Sequence, residues 1–124
     1  MMRNDGVQQG ELFTKMYHGI RNGMAAAMGA DLWHAYSILA TYMDRDGRCY
    51  PSQEQLARNM GIRRDAVSKR MKRLCEFKWH GEHLVTMEKQ RQRGSQFANT
   101  VYYVNPNFGF RIFVESDDDP SMSG

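Results

Sequence analysis

The chain has 124 residues, 41% of them hydrophobic, with two cysteines and a formal net charge of +3. That length suits one domain with tails, and no apolar run approaches the length needed to cross a membrane. The opening "MMRNDGVQQGELF" lacks the apolar stretch of a signal peptide, so the cytoplasm is the expected location. Ten methionines and fourteen aromatic residues must supply part of the core, because large aliphatic residues are scarce.

Residues 1–10 are polar and read as a flexible N-terminus. From Glu11 to Ile20 the apolar positions are Leu12, Phe13, Met16, Tyr17 and Ile20, which fit either a short helix or a strand through Leu12–Met16; periodicity alone does not choose. "RNGMAAAMG" gives a turn and a short Ala-rich segment. Asp31 is then placed to cap a helix from Leu32 to about Met43, whose inward set is Leu32, Ala35, Tyr36, Leu39, Ala40 and Met43. "DRDGRCY" ends it with Asp-Gly turn chemistry.

Pro51-Ser52 opens the next helix, with Ser52 as N-cap and Gln55 at the capping-box position. Leu56, Ala57 and Met60 face inward and Gly61 stops the helix. Ile62 plugs the turn, and a second helix runs from about Arg64 to Phe77 with Val67, Met71 and Leu74 on one face. "HLVTMEKQ" and "FANTVYYV" read as two strands around the hairpin tip "RQRGSQ". "PNFGFRIFV" alternates Phe108, Phe110, Ile112 and Val114 as a further strand, and "ESDDDPSMSG", residues 115–124, reads as a disordered acidic tail. Residues 11–114 thus make up the domain.

Charge is unevenly spread along this order. From Gln53 to Arg93 there are 11 Lys and Arg against 5 Asp and Glu, or +6, which leaves −3 for the remainder. Such a concentration of positive charge is the footprint expected for a polyanionic partner. With Val67, Met71 and Leu74 turned inward, Arg64, Asp65, Ser68 and Lys69 become candidates for reading base edges, because Arg can bond guanine bidentately and Asp can accept from cytosine. Ser52, Arg63, Lys72 and Arg73 suit the phosphate backbone. Lys89, Arg91, Gln92 and Arg93 flank the hairpin tip and suit an adjacent minor groove or backbone.

Two helices around a glycine turn, followed by a basic hairpin, are the order of a winged helix-turn-helix. "GRCYPSQEQLARNMGIRRDAVSKRMKRL", together with "ANTVYYVNP", resembles the winged helix-turn-helix domains of bacterial plasmid and phage proteins, over about Leu32 to Pro106. Pro51-Ser52, Leu56-Ala57, Gly61-Ile62, Val67 and Leu74 carry the match. The resemblance implies a mainly α fold with a small β-hairpin wing (α+β) that binds double-stranded DNA, in a replication initiator or a transcriptional regulator. Two positions depart from it. Arg63 stands where Ser or Thr usually caps the recognition helix, and two residues separate Asn99 from Tyr102, which puts the strand register in question.

Other chemistries find little support. Cys49 and Cys75 form no CxxC pair and are expected as free thiols. Cys75, His80 and His83 match no common zinc spacing, so neither metal nor other cofactor is expected. His18 and His34 are isolated structural side chains. No Walker sequence, GxGxxG or nucleophile–base pair appears, which argues against an enzyme. A winged helix that docks proteins without binding DNA is the remaining alternative. One recognition helix reads too few base pairs to select a genomic site, so a homodimer is expected. Its interface would be built from the flanking residues Leu12, Phe13, Met16, Tyr17, Ile20, Phe108, Phe110, Ile112 and Val114.

Overall fold

A computed structural model describes residues 12–91 and 98–114. The N-terminus, the acidic tail and most of the hairpin tip, including Gln92 and Arg93, lie outside these residues. In chain order the elements are β1 (Leu12–Met16), a short 3-10 turn (His18–Arg21), α1 (Met24–Ala40), β2 (Arg48–Cys49), α2 (Gln53–Met60), α3 (Arg64–Glu76), β3 (Lys78–Trp79), β4 (Glu82–His83), β5 (Val85–Arg91), β6 (Ala98–Val104) and β7 (Phe110–Val114). The architecture is α+β.

The first segment is a strand. β1 pairs antiparallel with β7, from Leu12 opposite Val114 to Met16 opposite Phe110. Sequence periodicity could not choose here because the partner lies some 100 positions away. Thr14 anchors this two-stranded ribbon by donating its hydroxyl to the Ala40 carbonyl, 3.1 Å away. The strand expected around Phe108 begins only at Phe110, because Gly109 turns the chain at φ +61°.

α1 corrects the expectation in two ways. It begins at Met24 and ends at Ala40, where the Thr41 amide turns back onto Ile38 and Leu39. Gly29, at φ +81° and ψ 166°, interrupts it, so two helical segments run together across a kink. Asp31 lies within the run and not at its cap; its carboxylate instead sits 3.5 Å from the guanidinium of Arg70 on α3. Met24 and Met28 of the Ala-rich segment are buried, so core packing makes a further helical segment of the residues before Gly29, ahead of the expected helix. Met43 lies past the helix end yet remains 5% exposed.

The turn before β2 is held by Asp44, whose side chain accepts from the Asp46 and Arg48 amides at 2.8 and 3.0 Å. α2 carries the expected capping box: the Ser52 hydroxyl oxygen accepts from the Gln55 amide at 3.0 Å, and the Gln55 side chain accepts from the Ser52 amide at 2.8 Å. Gly61 closes the helix at φ +68°, with the Ala57 carbonyl accepting from the Gly61 and Ile62 amides. Arg63, at the N-cap of α3, makes no side-chain cap bond, as the departure at that position implied.

β5 and β6 form the expected hairpin, and β2 adds to β6, giving the order β2-β6-β5. Register is continuous from Val85 opposite Val104 to Arg91 opposite Ala98, so the Asn99–Tyr102 spacing introduces no bulge. The core gathers Tyr36, Leu39, Leu56, Val67, Leu74, Leu84, Val85 and Tyr102 between the three helices and the inner face of this sheet.

Candidate nucleic-acid interface

The inward half of α3 is settled by packing. Val67 and Leu74 are fully buried and Met71 is 2% exposed. At about 100° per residue, this leaves Asp65, Lys69 and Lys72 turned outward, and all three are exposed. Arg64 and Ser68 occupy the flank facing α2, where each meets a side chain of that helix. Arg70 occupies the opposite flank; its side chain is 16% exposed and ties α3 to Asp31 of α1. It serves packing, which explains why a basic residue in this run is absent from the outer face.

The exposed cations are close to unneutralised. Arg63 lies 3.8 Å from Asp65, and Arg64 lies 3.6 Å from Glu54, with every one of these side chains well exposed. Pairs in that setting are worth little, so both arginines can be taken up by a stronger anion. Lys69, Lys72 and Arg73 are exposed with no carboxylate partner among the described residues. Ser52 is exposed at the start of α2; its oxygen is engaged by capping, and its hydroxyl hydrogen remains a donor.

Gln53, which the sequence did not single out, joins three elements. Its side-chain amide donates to the Tyr102 hydroxyl of β6 at 3.3 Å, and its carbonyl accepts from the Ser68 hydroxyl of α3 at 3.4 Å. Glu54 was likewise missed. Both are ordinary first-turn residues in sequence, and only the crossing of α2 and α3 brings them to the outer surface of α3.

The hairpin is placed beside this surface. Lys89 shares its register face with Met87 and Tyr102, the face that Gln53 reaches, and is exposed. Arg91 continues the strand opposite Ala98; Gln92 and Arg93 lie outside the described residues. The structure therefore brings Arg63, Arg64, Asp65, Ser68, Lys69, Lys72 and Arg73 together on one helix, with Ser52 and Lys89 contributed by neighbouring elements.

The thiols are inert by environment. Burial, reinforced by the Asp44 charge, pushes Cys49 up to about 12, and burial with the nearby Glu76 charge pushes Cys75 up to about 11. Among the described residues, no three His, Cys, Asp or Glu side chains gather as a metal set. None of the described helices is long and apolar enough to cross a membrane.

No curated protein and no solved structure matches the chain. Residues 36–79, from the second half of α1 to β3, match a protein family described as a helix-turn-helix domain. That match falls on the α2–α3 pair and the Gly61 turn described above, so this part of the chain is similar to a helix-turn-helix domain, which suggests DNA as the partner.

Proposed function

We propose that the chain binds double-stranded DNA sequence-specifically as a winged helix-turn-helix, without catalytic activity, in the cytoplasm. α3 enters the major groove, where Arg64, Asp65, Ser68 and Lys69 read base edges and Arg63, Lys72 and Arg73 hold phosphates. Ser52 adds a phosphate contact from α2. The β5–β6 hairpin acts as the wing, with Lys89, Arg91, Gln92 and Arg93 against the backbone or the adjacent minor groove. The observation that carries this reading is the outer surface of α3, where exposed cations face only weak acid partners while the inner face is fully committed to the core.

The biological role we favour is regulation of transcription on a bacterial mobile element. Origin binding within a replication initiator is the second reading, which the same resemblance implies. Protein docking without DNA is less well supported, because none of the large exposed hydrophobic residues among those described, Leu12, Met16, Tyr17, Tyr50, Met87 and Tyr103, lies on α3.

The chain acts as a homodimer in this proposal. The interface differs from the sequence expectation: Ile20 and Phe110 are buried in the core, and Phe108 and Ile112 pack partly against it. The exposed apolar residues of β1 and Tyr17 are what remains. Sedimentation at micromolar concentration checks the dimer, which a single monomeric species would exclude.

The test of DNA recognition is selection of bound fragments from a random duplex pool. Arg64→Ala should lose about 1–3 kcal/mol on the selected site and relax one base position. An unchanged preference removes Arg64 from base readout, and no selected sequence at all removes the proposal. Whether the selected site occurs in promoters or in origin repeats separates the two biological roles.

A further inference from the structure

The β1–β7 ribbon has two faces of different character. Thr14 and Ile112, directly opposite each other, turn toward the helices, where Thr14 bonds Ala40. The other face carries Lys15 opposite Arg111 and Phe13 opposite Phe113. This second face forms one wall of a cleft of about 690 Å3, lined by Lys15, Tyr17, Arg111 and Phe113. Its facing wall comes from the base of the three-stranded sheet, with Tyr103 and the turn at Arg45-Asp46.

Three features of this cleft point to an anionic, planar ligand. Lys15 and Arg111 are like charges directly across a strand pair, about 5 Å apart at the backbone, an arrangement that destabilises a sheet. Neither has a carboxylate partner among the described residues. The Lys15 ammonium is already held 4.4 Å over the Phe113 ring, which fixes it on the cleft side. Finally, Tyr103 is 42% exposed and Tyr17 37% exposed, leaving aromatic surface at the mouth. The volume lies within the range typical of small-molecule sites.

We propose that this cleft binds a mononucleotide, with its phosphate between Lys15 and Arg111 and its base against Tyr103. A tetrahedral phosphate can accept from the ammonium and the guanidinium together, and an exposed tyrosine face suits a base. The site is separate from the duplex-binding surface. Tyr103 lies on the sheet face opposite Tyr102 and Lys89, and the cleft sits beside Val104 and Gly47, about 20 Å along the strand from the Arg91–Ala98 pair of the hairpin. The ligand is therefore a free nucleotide and not a part of the bound duplex.

Calorimetric titration of the full chain tests this with adenosine monophosphate, thymidine monophosphate, adenosine, inorganic phosphate and oligothymidylate. Saturable one-to-one binding of a mononucleotide is expected, with adenosine and phosphate each about tenfold weaker or worse. Lys15→Gln and Arg111→Gln should each weaken it about tenfold, and Tyr103→Ala should weaken it without changing the phosphate-only affinity. The double variant Lys15→Gln/Arg111→Gln should melt no lower than the parent, since a repulsive pair is removed, and should keep its duplex affinity. Arg64→Ala should keep nucleotide affinity, so loss of duplex binding and loss of nucleotide binding are told apart. Absence of saturable mononucleotide binding up to millimolar concentration overturns the proposal. So does binding that survives the double variant, or binding of oligothymidylate alone.

Discussion

Removing Gln53 tests how the two helices are held on the sheet. Tyr102 is 2% exposed, and the partner of its hydroxyl is the Gln53 amide at 3.3 Å. Gln53→Ala strands that hydroxyl in a buried setting, which costs about 1–3 kcal/mol. The Ser68–Gln53 bond is long at 3.4 Å and exposed, so its loss adds little. Gln53 is itself only half-buried, so water can enter after truncation, and the lower half of the range applies: about 1–2 kcal/mol. Tyr102→Phe removes the hydroxyl together with its need for a partner and should cost under about 1 kcal/mol. The double variant should then resemble Tyr102→Phe alone, giving a coupling of about 1 kcal/mol in a double-mutant cycle. Urea unfolding followed by tryptophan fluorescence measures each of these energies, with a constant m-value as the check on two-state behaviour. Additivity within about 0.3 kcal/mol would refute the reasoning, because it would mean that Tyr102 does not depend on Gln53.

Glu54→Gln frees Arg64 and removes a negative charge beside the proposed phosphate path, so duplex affinity should rise about two- to fivefold at low salt; weaker binding would contradict the placement of α2. Neutralising Arg91 and Arg93 should flatten the slope of log affinity against log salt by about one for each phosphate these side chains neutralise, and an unchanged slope would take the hairpin off the backbone. Gly109→Ala forces a side chain into left-handed backbone at φ +61° and drives its Cβ into the Tyr36 hydroxyl, which is bonded to the Phe108 carbonyl. A destabilisation of about 2–4 kcal/mol in urea titration is expected, and a change under about 1 kcal/mol would show that the ribbon can shift away. Stability should also fall in alkali. The folded chain holds the Cys49 and Cys75 protons more tightly than the unfolded chain does, so their contribution is complete below pH 9 and declines as pH rises toward 11 and 12. Burial of Tyr36 and Tyr102 acts in the same direction. Cys49→Ala should reduce the fall in unfolding free energy, measured by urea titration between pH 8.5 and 10.5, by on the order of 1–2 kcal/mol, and an identical profile would refute its share.

The sequence by itself determined the features that local chemistry enforces. Ser52 and Gln55 satisfy each other's amides, Gly61 accepts a left-handed backbone, and Val67, Met71 and Leu74 recur at helical spacing; each is decided within a few residues, so α2, its stop and the inward face of α3 were legible. The hairpin was legible for the same reason, since β5 and β6 are sequence neighbours with strand-forming residues on both sides of a turn. Tertiary structure decided what depends on distant partners. β1 is a strand because β7 supplies its ladder, and Met24 and Met28 are helical because the core takes them in. Arg70 leaves the exposed basic face because Asp31 stands across from it. Gln53 and Glu54 reach the outer surface of α3, and Lys15 faces Arg111 across a cleft, only once elements far apart in the chain are packed together. Hydrogen bonds within a turn are written in neighbouring residues, whereas a surface assembled from several elements has no local spacing from which it could be read.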